Sequence, residues 1–186
     1  EARSNERADG TLYLDWLTWG GSPKISLAPP DHAGMRWLQA WTQACSNVLG
    51  RSDHDYRLIQ DEGVGLLLHG SRDWRDYAFS AALTPHLAKS FGIAGHVQGL
   101  KRYYALRLVE GNRAQLAREL DGTRVLSETP YTWSLYQTYR FDLEFEGNNL
   151  IGRINGRILF EQRDESPLTE GGVALMIEEG RLGCDG

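Results

Sequence analysis

Hairpin signals recur along the second half of the chain. They are Glu110-Gly111-Asn112, Asp121-Gly122, Gly147-Asn148-Asn149 and Asn155-Gly156. Asn-Gly and Asp-Gly pairs suit the centre of a type I′ turn, where both residues need positive φ. Arg153-Ile154-Asn155-Gly156-Arg157-Ile158 is the clearest case. A series of about a dozen short strands at this spacing, with little helix, restricts a chain to an antiparallel sandwich or a barrel. Many of the segments carry one apolar and one polar face. Two sheets packed face to face satisfy that pattern and leave the outer faces wet. The expected fold is an all-β jelly-roll sandwich of two antiparallel sheets.

The first half reads less uniformly. Residues 1–10 form a polar lead-in, and residues 11–186 a single domain. Residues 11–19, TLYLDWLTW, read as a strand that ends at Gly20-Gly21-Ser22-Pro23. Met35, Leu38, Trp41, Cys45 and Val48 recur at three- and four-residue steps, so a short amphipathic helix is expected over 35–48. Residues 56–60 and 64–69 read as two strands around Asp61-Glu62-Gly63, and residues 77–87 as another. Residues 171–183 supply the last strand and the start of a further one. The abrupt start and stop suggest a fragment of a longer protein.

Charge narrows the partners. With 20 Lys and Arg against 25 Asp and Glu, the net charge is −5 and the pI near 5.5. Binding to a nucleic acid backbone needs a basic footprint, so no nucleic acid partner is expected. No apolar run approaches the roughly 20 residues of a membrane span. The polar start has no signal-peptide pattern, and the expected compartment leans to the cytoplasm. Cys45 and Cys184 have no metal-ligand spacing; they read as buried thiols or as a disulfide joining the two ends of the domain. No metal or cofactor is expected.

Two groups of residues invite a functional reading. In residues 92–108, GIAGHVQGLKRYYALRL, Ile93, Gly95 and Val97 alternate with Ala94, His96 and Gln98, and Tyr104, Leu106 and Leu108 with Tyr103, Ala105 and Arg107. Alternation puts His96, Gln98, Tyr103 and Arg107 on a wet face, with Arg102 in the loop beside them. An imidazole, an amide, a phenol and a guanidinium are the groups that grip a polyhydroxylated ligand, and Trp133 is the candidate platform for a sugar ring. The plainer reading is a solvated sheet face. The second group is Asp142, Glu144 and Glu146, three carboxylates on one face of a strand. They read either as an acid pair or as a solvated face countered by Arg140 and Arg153. Trp16, Trp19, Trp37 and Trp41 fit core packing, or a surface for a neighbouring domain.

The order GIAGHVQGLKRYYALRL, the Asp121-Gly122 hairpin, TYRFDLEFEGNNLIGRINGRILFEQRD and GGVALMIEEGRL resembles the concanavalin A-like (laminin G-like) jelly rolls, over residues 74–183. These include carbohydrate-binding modules and keto-disaccharide hydrolase domains. With Tyr13-Leu14-Asp15-Trp16-Leu17-Thr18-Trp19 ahead of it and VQGLKRYYALRL inside it, the chain resembles the C-terminal region of bacterial ADP-ribosylglycohydrolase family proteins. That likeness implies a non-catalytic accessory, carbohydrate-binding-like module, a glycan or ADP-ribosyl ligand, and a catalytic domain elsewhere in the parent chain. The alternatives are a domain that only packs against that neighbour, and a glycoside hydrolase using Asp142 and Glu144. Laminarinase-type hydrolases carry Glu, then Asp, then Glu in alternation; here the order is Asp142, Glu144, Glu146. Retention needs carboxyl groups about 5–5.5 Å apart.

Overall fold

The computed structural model describes residues 24–28, 36–50 and 55–185. The expected lead-in, the strand at 11–19, and Trp16 and Trp19 lie outside the described residues. Among the described residues, eleven strands follow a 3-10 turn at Arg36–Ala40. They are β1 (Thr42–Ala44), β2 (Asn47–Gly50), β3 (Asp55–His69), β4 (Ala78–Gly99), β5 (Arg102–Val109) and β6 (Arg113–Leu120). After them come β7 (Thr123–Pro130), β8 (Tyr139–Glu146), β9 (Asn149–Ile154), β10 (Arg157–Arg163) and β11 (Gly172–Asp185). All pairings are antiparallel.

The strands form one connected sheet rather than the expected two. The reason lies in three long central strands. β4 pairs through residues 90–99 with β5 and through residues 78–83 with β8. β11 accompanies β4 along both stretches, and β3 accompanies β11. One layer is thus β7-β6-β5-β4-β11-β3-β1, and the other is β10-β9-β8-β4-β11-β3-β2. The turn expected at residues 61–63 does not reverse the chain, because β3 continues through it with Gly63 at φ 67°.

The apolar faces of the two layers meet. Phe91 of β4 lies 5.6 Å, ring to ring, from Phe141 of β8, and Tyr104 of β5 lies 5.9 Å from Phe145. Leu106 of β5 packs so closely over β9 that a Cβ at Gly152 would come within 3.0 Å of its Cδ1. Alternation builds this core: Tyr104, Leu106 and Leu108 face inward from β5, and Phe141, Leu143 and Phe145 from β8. A second, smaller cluster of Leu66, Ala94, Val97, Tyr103, Ala105, Ala174 and Met176 occupies the outward face of the first layer.

The helix expected over 35–48 is corrected by the structure. Leu38 and Trp41 are buried from the 3-10 turn, Cys45 is half-buried at the break between two strands, and Val48 faces inward from β2. Mixed turn and strand geometry thus produced an inward stripe that mimics a helical period. The edge of β3 decides the outcome. It offers a ladder to Thr42–Ala44 at Leu66–Leu68 and another to Asn47–Gly50 at Tyr56–Ile59. Between them, the Gln60 amide oxygen accepts from Ser46 N at 2.9 Å, and the Ser46 hydroxyl accepts from Asp61 N at 3.1 Å. Cys45 and Cys184 are thiols with no disulfide between them, and Cys184 hydrogen-bonds the Tyr56 hydroxyl.

Candidate functional site

A polar row crosses β5, β6 and β7 on the face that carries Tyr103 and Arg107. The hairpins place Arg107 opposite Gln115, and Gln115 opposite Glu128. Arg107 Nε donates to Gln115 Oε1 at 3.0 Å, and Gln115 Nε2 donates to Glu128 Oε2 at 2.6 Å. Arg113 Nη1 donates to the other Glu128 oxygen at 3.2 Å. The bond from Gln115 holds the Glu128 carboxyl below its ordinary range, with Arg113 adding to the effect against partial burial. A guanidinium, an amide and a carboxylate therefore lie in line across three strands about 4.8 Å apart. Beside them, Ser90 Oγ donates to Glu178 Oε2 at 2.7 Å. Tyr103 lies on the same face, 5% exposed, and its hydroxyl is pushed up to about 12 by burial and by the Glu119 charge.

The six expected ligand-binding residues do not share this surface. Tyr103 and Arg107 do, and Arg102, expected in the loop, is exposed at the start of β5, where it pairs with Gly99 of β4. His96 is in the interior, 1% exposed, with its ring stacked 3.9 Å from that of Phe145. Its Nδ1 is 2.6 Å from Leu168 O and its Nε2 2.9 Å from Arg75 O. The cause is local: His96 has φ 48°, and the β4–β5 register shifts between Gly95 and Gly99. One left-handed residue breaks strict alternation and turns the next side chain to the other face. Gln98 donates to Glu170 O at 2.9 Å. Trp133 Nε1 donates to Val109 O at 2.9 Å, and its ring lies edge-on to core Phe91.

The carboxylates of β8 lie on the outward face of the second layer. Asp142 accepts from Ser80 Oγ and pairs with Arg140 Nε at 3.3 Å. Glu144 accepts from Arg153 Nη1 at 2.8 Å, and Glu146 is exposed. None of the three lines the recesses between residues 24–28 and the start of β4. Trp41 is buried and Trp37 packs 4.6 Å from Tyr56, so both belong to the core and its edge. Among the described residues, no three His, Cys, Asp or Glu side chains converge as a metal site.

Sequence reading missed the loop that closes one end of the layers. Asp164 accepts from Tyr104 Oη at 2.6 Å, from Arg118 Nη1 at 2.7 Å and from Ser166 N at 3.1 Å. Arg118 also donates to Ser166 O, and Leu168 N donates to Tyr104 Oη. Burial alone would raise the Asp164 carboxyl, but the three donors outweigh it and hold it below its ordinary value.

Neither a family model nor a curated protein matches the chain. Solved structures do. The carbohydrate-binding module CBM66 from Bacillus subtilis aligns with a TM-score of 0.69 at 14% identity, over 78% of this chain and 92% of its own. A Bacillus subtilis protein of unknown function with a galectin-like fold aligns at 0.59 and 13% identity, over 80% and 88%. The β-glucanase of Bacillus licheniformis aligns at 0.57 and 9% identity, over 78% and 89%. The fold is a galectin- and concanavalin-like jelly roll. Binding modules and hydrolases share this jelly roll, so the fold does not choose between them. The ADP-ribosylglycohydrolase likeness rests on sequence motifs alone.

Proposed function

We propose that the chain is a non-catalytic carbohydrate-binding module that takes a neutral saccharide on the outer face of β5, β6 and β7. The observation that supports this most is the Arg107–Gln115–Glu128 row. Gln115, buried between them, fixes the Arg107 guanidinium and the Glu128 carboxylate as a planar donor and an acceptor that suit sugar hydroxyls. Pre-ordered polar groups lower the ordering cost of binding. The same fold in a carbohydrate-binding module agrees with the reading. Neutrality follows from charge: Glu128 is paired with Arg113, and the charges of Glu119 and Glu178 act beside that of Arg107 at Tyr103, so an anion gains little there. An ADP-ribosyl group, with two phosphates, fits this face less well. Asp142 and Glu144 are each committed to an arginine, which favours binding over glycoside hydrolysis. A role beside a hydrolase domain in the parent chain remains the finer form of this proposal.

Calorimetry against neutral oligosaccharides tests it. Arg107→Ala should weaken binding about tenfold, the size of a charge-assisted contact, with the thermal midpoint nearly unchanged. Binding that is indifferent to Arg107→Ala and Glu128→Gln would remove the site from this face.

A further inference from the structure

The molecule has a second recess, away from the β5–β7 face. It has a volume of about 700 Å³ and lies where residues 24–27 run beside the start of β4. That volume falls within the roughly 300–1,000 Å³ of small-ligand sites. Trp74, Tyr77 and Phe79 supply aromatic walls. Tyr77 is locked: its hydroxyl donates toward Gly172 O at 2.9 Å and Gly171 O at 3.1 Å, and accepts from His96 N at 2.7 Å. Trp74 O accepts from Gly171 N at 2.9 Å, while the indole N–H has no hydrogen-bond partner among the described residues. The loop between β3 and β4 therefore holds the Trp74 backbone at the wall of the recess.

The charge around this recess runs against that of the whole chain. Among the described residues, Lys24, Arg75 and Arg140 line it against one carboxylate, Asp76, in a chain with 20 basic and 25 acidic residues. Asp76 is committed to Gly147 N at 2.7 Å. Arg75 and Arg140 are exposed and hold carboxylates that lie outside the recess, Glu170 and Asp142. Lys24 has no ion pair among the described residues. We infer that this recess binds an acidic saccharide, a uronic-acid unit whose ring lies against Trp74 and whose carboxylate meets Lys24. The class of ligand rests on the carbohydrate reading; the location does not depend on the β5–β7 face.

The experiment is titration calorimetry of the full chain with trigalacturonate and with maltotriose, each at low and high salt. Trigalacturonate should bind, and its affinity should fall at least tenfold in Trp74→Ala and in Lys24→Glu. It should be unchanged in Arg107→Ala and should weaken as salt screens the charge. Lys24→Glu alters an exposed side chain, so it decides the matter should Trp74→Ala fold poorly. Absence of trigalacturonate binding, or binding that both recess variants leave intact, overturns the inference. So does maltotriose binding that Lys24→Glu abolishes. Maltotriose binding lost only in Arg107→Ala, with trigalacturonate silent, keeps the β5–β7 proposal and ends this one. The reverse pattern keeps this one and ends the other.

Discussion

Asp164 shows how a single buried carboxylate can hold a loop. Its folded form is held low by Tyr104, Ser166 and Arg118, whereas in the unfolded chain it returns to about 3.9. A depressed folded value means the stabilisation is present above the unfolded value. It is lost as pH falls through the folded one. Asp164→Asn keeps the shape but leaves the Arg118 guanidinium buried without its counter-charge, which costs about 3–5 kcal/mol. Urea unfolding at pH 7 should show that loss, and the wild type's decline below about pH 4 should flatten in the variant. An unchanged midpoint would mean that the pair contributes nothing net. Neither Asp164 nor His96 was legible as an interior group. Asp164 follows a strand that reads as surface, and His96 owes its inward turn to one left-handed φ that no alternation pattern contains.

At the scale of elements, the hairpins were legible down to register. A turn centred on Gly111 places Arg107 opposite Gln115, and one at Asp121-Gly122 places Gln115 opposite Glu128. Gln115 could therefore have been added to the candidate site from turn position alone, whereas Glu128 reaches it through the register shift between Leu116 and Ala117. The long strands were not legible, because their continuity depends on bends at which three neighbours turn together. In β11 the bend falls at Glu179, φ 43°, and Gly180, φ 152°, where the register with β3 breaks, and the register with β4 shifts just beyond, between Arg181 and Leu182. A Cβ on Gly180 would come within 1.9 Å of Leu87 O, a backbone atom that cannot step aside. Gly180→Ala should cost at least 1–3 kcal/mol, the usual range for overpacking. Hydrogen exchange should rise at amides of β4 and β11 on both sides of the bend. A neutral substitution would show that the bend tolerates a side chain.

The whole molecule inherits a consequence from those shared strands. β3, β4 and β11 each contribute to both layers, so neither layer has a sheet of its own to fall back on. The main core is also common property, since Phe91 of one layer packs against Phe141 and Tyr139 of the other. A domain built this way should unfold in one cooperative step rather than layer by layer. Phe91→Ala is the sharpest probe, because it empties the middle of that shared core. It should cost about 3–5 kcal/mol. The melting temperature should then drop by roughly 10 °C for a domain of this size. Far-ultraviolet and near-ultraviolet circular dichroism should move together in wild type and variant. Two separated transitions, or amides of β8–β10 that exchange while β5–β7 stay protected, would show that the layers open independently and that continuity of strands does not impose continuity of stability.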